Sequence, residues 1–174
     1  MLQKDILVLL EGGDRRSIGR ADQVAAIVSE NPGLFPKLIA GLSSSNSLVR
    51  MRAADAAEKV TRKHRQLLQP HKKELLHLLA EAQEQELRWH LAVMVPRLVL
   101  NSKDRRAVIS SLKRYLEGRS SIVKTCALQG LADLAQHAPG IRPGVVDILR
   151  KAAQNGTPAM KARSRKLLKG LERL

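Results

Sequence analysis

A leucine returns every 37 residues: Leu38, Leu75, Leu112 and Leu149 keep that interval, and Leu42, Leu79, Leu116 and Ala153 follow at the same one. A second series runs in step with the first. Val49-Arg50, Leu87-Arg88, Val123-Lys124 and Met160-Lys161 are spaced by 38, 36 and 37. Behind each pair, apolar or small residues come back at +4, +8 and +11. They are Ala53, Ala57 and Val60; Leu91, Val95 and Leu98; Ala127, Leu131 and Leu134; and Ser164, Leu168 and Leu171. Those offsets fall on one face of a helix with 3.6 residues per turn. One helical hairpin cannot bury its own apolar face, so two helices recurring at this period predict a stacked array.

The punctuation agrees with the period. Polar cap candidates precede each second helix: Asn46 or Ser47, Glu84 or Gln85, Ser120 or Ser121, and Thr157 ahead of Pro158. Prolines 36, 70 and 143 sit where three of the first helices are expected to begin, a position that loses no backbone hydrogen bond. Pro96 instead falls inside a second helix, where it is expected to bend or end it. Aromatics are scarce, being only Phe35, Trp89 and Tyr115. Alanine and leucine must therefore fill the interior, which suits closely packed helices better than a sandwich or barrel.

The leading segment "KLIAGL", a polar turn and then "VRMRAADAAEKV" resembles a HEAT repeat, of the armadillo-type α-solenoid class. In that family the second helix opens with Val-Arg and continues with spaced alanines. The resemblance covers residues 33–174 as four units, about 33–66, 67–101, 102–138 and 139–174. The family's acidic turn residue is present as Glu81 and Glu117, with Ser43 and Gln154 in its place elsewhere. Residues 1–32 lack the signature and read as a divergent capping pair, roughly Leu2–Leu10 and Ser17–Glu30, as a terminal unit facing water should. The implied fold is an all-α, right-handed α-α superhelix of about five hairpins forming one continuous domain. Arg50 and its counterparts are expected beside the inter-helix turns, bonding carbonyls or the acidic turn residue.

No catalytic motif stands out, and the expectation is a non-enzymatic protein without cofactor or metal. Gly12-Gly13 and the other glycines read as scattered helix breakers rather than a phosphate loop. His71 and His77, six residues apart, do not share a helix face suited to a metal. With one cysteine, Cys126, neither an intrachain disulfide nor a Cys-rich zinc site can form; a small apolar residue in or near the core is expected. The start "MLQKDILVLLEGG" is too short and too charged for a signal peptide, and no apolar run approaches the length of a membrane span. These point to a cytoplasmic protein.

Function must then lie in a surface. The HEAT resemblance implies that the second helices line a concave groove. Counting from the Val position places Met51, Arg52, Asp55, Trp89, His90, Val93 and Arg97 around its middle, an apolar patch ringed by charge suited to a protein or peptide. The net charge of +15 is uneven, and residues 138–174 alone carry nine basic against two acidic residues. Arg163, Lys166, Lys169 and Arg173 on the last helix form a second, phosphate-binding candidate set, which makes a nucleic acid the alternative partner. The resemblance also brings a distant third reading, since some HEAT-like proteins are similar to DNA glycosylases for alkylated bases. Asp55 and Trp89 are the one acid and aromatic pair available for such an activity.

Overall fold

The computed structural model of the chain describes residues 5–174 and is all-helical, with no strand among them. The α-helices are α1 (Ala21–Glu30), α2 (Phe35–Ala40), α3 (Ser47–Thr61), α4 (Lys72–Glu81), α5 (Gln85–Met94), α6 (Ser102–Glu117), α7 (Ser121–His137), α8 (Arg142–Asn155) and α9 (Pro158–Leu171). Val49, Leu87, Val123 and Met160 are each the third residue of α3, α5, α7 and α9. The four 37-spaced leucines, Leu38, Leu75, Leu112 and Leu149, are all fully buried at 0% exposure. Three of the second helices have side-chain caps: Asn46 Oδ1 accepts from Leu48 N, Ser120 Oγ from Val123 N and Thr157 Oγ1 from Met160 N. Glu84 stands at the fourth N-terminus without a side-chain cap bond.

Arginine closes the turns before two of these helices. Arg50 Nη1 donates to the Ser44 carbonyl at 2.5 Å, and Arg88 Nε donates to the Ala82 carbonyl at 2.6 Å. Both reach six residues back to a carbonyl that the end of the preceding helix leaves without an amide partner. Arg88 also donates to Gln83 Oε1 at 3.0 Å.

The chain divides into two compact units, residues 1–74 and 75–174, the dividing point lying inside α4. In the first unit α1 and α2 pack on α3. Its N-terminal part departs from a helical pair. Part of the expected Leu2–Leu10 helix lies outside the described residues, and Val8–Leu10 is one turn of 3-10 helix. The second helix begins at Ala21 rather than Ser17. Between them, residues 11–20 form a loop in which Gly12, Gly13 and Gly19 take left-handed backbone angles, φ +71°, +79° and +54°.

In the second unit α7 is central, packed by α5 and α9 beside it and by α6 and α8 over it. Ser121 Oγ and Thr157 Oγ1 lie 2.7 Å apart, so α7 and α9 start at the same edge. At that edge Tyr115, near the end of α6, donates to the Leu79 carbonyl at 2.7 Å, and its ring lies 5.2 Å from the Arg88 guanidinium carbon. The start of α5 is thereby tied to the same end of the layer. Pro96 acts as its chemistry requires: α5 ends at Met94 and a 3-10 turn, Val95–Arg97, takes over. Having no N–H, Pro96 leaves the Ala92 carbonyl without its i+4 donor. Gly130 of α7 is seated against that carbonyl. A Cβ on residue 130 would overlap the Ala92 oxygen and press within 3.1 Å of Pro96 Cγ and 3.2 Å of Leu112 Cδ1.

Because the overlap is with backbone, Gly130→Ala is expected to destabilise the fold by at least about 1–3 kcal/mol, despite alanine's better helix propensity. Urea titration followed by helical circular dichroism measures it. A gain in stability would show that α5 and α7 are not this close.

Candidate functional site

Arg52 is not a groove residue. It is 1% exposed, and loop 11–20 is folded around its guanidinium. Nη1 donates to the carbonyls of Leu10 at 2.8 Å and Gly12 at 2.6 Å; Nη2 donates to Asp14 at 3.0 Å and Nε to Ser17 at 3.2 Å. Four oriented carbonyls satisfy four of its five N–H groups and compensate its lost hydration. The glycines make this cage sterically possible, since a Cβ at Gly19 would lie 2.8 Å from Arg52 Cζ. So "EGGDRRSIGR" is one structured loop rather than a run of incidental breakers. An open cleft of about 390 Å³ lies beside it. Its arginine is committed to backbone oxygens and lends no bonds to a ligand.

The other first-unit candidates are also engaged. Asp55 Oδ2 accepts from Lys59 Nζ at 2.7 Å, and Lys59 reaches Asp22 Oδ1 at 2.5 Å. Burial works against the Lys59 charge, but the hydrogen bonds to the two carboxylates outweigh it and hold its pKa above the ordinary lysine value. Lys59 thus bridges α3 to α1 through Asp22, and Asp55 is its counter-ion within α3. Met51 is half-buried on α3.

The second unit gathers more of what the sequence singled out. Trp89, His90 and Val93 lie on α5 and Arg97 on the 3-10 turn after it, all partly exposed. The Trp89 and His90 rings meet edge-on with centroids 5.6 Å apart. On α7 the matching face carries Thr125, Gln129 and Asp133, and on α9 it carries Arg163 and Lys166. Gln129 joins two of these helices: its Nε2 donates to Asp133 Oδ1 at 2.8 Å, while its Oε1 accepts from Arg163 Nη1 at 2.7 Å. The amide is therefore fixed in one orientation and holds Arg163 over the face. Burial pushes the Asp133 pKa up, more than Gln129 and the nearby Arg97, His137 and Arg163 pull it down.

Asp133 was missed in the sequence because its column, ten residues after the Val position, reads Lys59, Arg97, Asp133 and Gly170 and has no common character. Arg163, Lys166, Lys169 and Arg173 are all exposed. Lys166 and Lys169 stand opposite the stripe of Ser164, Leu167 and Leu171 that α9 buries, whereas Arg173 lies in the turn after α9 ends at Leu171 rather than on the helix. Cys126, on α7, is in no disulfide and is partly exposed at the margin of the core. Among the described residues no three His, Cys, Asp or Glu side chains are grouped to hold a metal. No helix among them is long and apolar enough to cross a membrane. No protein-family model, curated protein or solved structure matches the chain.

Arg52→Met removes four donors at once and is expected to cost about 3 kcal/mol, in the range for breaking a buried charged network. Amide exchange across residues 11–20 should accelerate with it. A change under about 0.5 kcal/mol, that of an ordinary surface substitution, would mean the loop stands without the cage.

Asp133→Asn keeps the acceptor for Gln129 and removes the desolvated charge. A carboxyl whose folded pKa is raised opposes stability once ionised, so the variant should be more stable than wild type at pH 7. The advantage should fade as pH falls through the range where Asp133 takes up its proton. Melting curves from pH 3 to 8 test this; a variant less stable at neutral pH would refute it.

Proposed function

We propose that the chain is a non-enzymatic binding module of the HEAT-repeat, α-solenoid type, and that the face made by α5, α7 and α9 receives a protein or peptide. The solenoid reading is supported by the constant register of the second helices, each entered at its Val-type residue in the third position. The binding reading is carried by one observation: Trp89 and Val93, partly exposed, share a layer with Arg97 and with an Arg163 held in place by Gln129. A partly buried tryptophan on a face that also carries a cation of fixed orientation is the composition of an interface anchor, which gains from apolar burial and from directional polar contacts together. Asp55 is tied up by Lys59, which weakens the glycosylase reading.

The test is capture of partners from lysate, with and without nuclease, using wild type and Trp89→Ala. Partners that survive nuclease and are lost with Trp89→Ala are expected, the substitution costing roughly 2 kcal/mol or more in binding. Loss of everything on nuclease treatment would overturn the reading.

A second reading, nucleic-acid binding, is favoured by the exposed row Lys166, Lys169 and Arg173. Neutralising about five phosphates predicts a log–log salt slope near −4.5 on duplex DNA, and replacing Lys166 and Lys169 should flatten it by roughly one unit each. Binding weaker than about 10⁻⁴ M at physiological salt would be below ordinary non-specific affinity and would remove this reading.

A further inference from the structure

Residues 75–174 contain 18 Lys and Arg against 8 Asp and Glu, a net +10. On the α5–α7–α9 face the cations are Arg97, Arg163 and Lys166. The acids there are Glu86 at the start of α5 and Asp133. Asp133 is bonded to Gln129, and burial disfavours its charge. The apolar groups are concentrated elsewhere on the same face. Trp89 and Val93 lie on α5, and Ile122, 54% exposed, lies in the first turn of the neighbouring α7. Across the layer the apolar groups sit at the α5 end and the start of α7, whereas Arg163 and Lys166 sit at the α9 end, with Arg97 just past the end of α5.

We infer that this face takes an acidic, amphipathic polypeptide segment, with apolar side chains lying on Trp89, Val93 and Ile122 and carboxylates meeting Arg97, Arg163 and Lys166. The inference deepens the binding-module reading and rests on it. Charge complementarity selects the occupant. A neutral or basic peptide would leave the cation end desolvated and unpaired, which costs more than the apolar contact returns. Arg163 contributes geometry as well as charge: with Nη1 fixed on Gln129, the guanidinium plane is set before a carboxylate arrives. A nucleic acid shares the charge but not the apolar end. Phe35 and Tyr115 are buried, so Trp89 is the sole tryptophan or tyrosine-class ring at the surface, too few to stack successive bases. Three helices abreast at about 9 Å spacing offer roughly 20–30 Å, the length of about 13–20 helical residues.

The chain's single tryptophan makes binding directly observable. Four probes of about 18 residues or equal charge are titrated into the full chain: an amphipathic Glu/Leu peptide, polyglutamate, the same amphipathic pattern with Lys for Glu, and a short DNA duplex. The Glu/Leu peptide is expected to shift Trp89 emission and to bind about tenfold or more tighter than the other three. Arg163→Ala with Lys166→Ala, both at exposed positions, should weaken it by about tenfold or more while the helical signal at the titration temperature stays that of the folded chain. Equal binding of polyglutamate, tighter binding of the duplex, absence of an emission shift, or indifference to the double substitution would each overturn the inference. Nuclease-resistant, Trp89-dependent partners in lysate alongside failure of the Glu/Leu peptide would leave the binding module standing and discard only its acidic partner.

Discussion

The second unit depends on one close approach, that of Gly130 to the Ala92 carbonyl. Pro96 cannot supply the amide that would close the next turn of α5, so the helix ends early and a carbonyl is left pointing at its neighbour. Only a residue without a side chain can sit there, and α7 provides one. The contact lets α7 lie deep between α5 and α9, with Leu112 of α6 closing on the same glycine. With α7 seated this way, Gln129 and Asp133 come onto the same layer as Trp89 and Val93. The proline that shortens one helix and the glycine that thins the next are thus two halves of a single packing decision.

Arginines that look alike in the sequence have three different roles. Arg50 and Arg88 reach six residues back to turn carbonyls, restoring acceptors that helix ends leave open. Arg52, two residues beyond Arg50, is drawn inside by a loop that gives it four carbonyls and no carboxylate. Arg163 stays in water and is steadied by one amide. The guanidinium suits all three because its flat fork can bind several oxygens while keeping its charge. The surplus charge of the chain is therefore unequal in availability: part of it is spent on backbone oxygens, and part remains on the exposed face of α9.

The sequence by itself determined where α3, α5, α7 and α9 start and that the 37-spaced leucines are buried, because those follow from short-range periodicity, caps and prolines. Leu38, Leu75, Leu112 and Leu149 could be named as core, and the end of α5 at Pro96 could be foretold, without any coordinate. What the tertiary structure alone decided were contacts between residues far apart in the chain. The helical position of Arg52, pointing away from the alanine stripe, predicts a groove cation, whereas the structure buries it. Nothing in local spacing reveals that Leu10, Gly12, Asp14 and Ser17, some 35 to 42 residues earlier, turn their carbonyls toward it. The Gln129 bridge from Asp133 to Arg163 is hidden for the same reason, since its column in the repeat has no shared residue type. Periodicity reports which way a side chain faces; where a polar group finds its partner is set by the global path of the chain, and a buried charge will take whichever oxygens that path delivers.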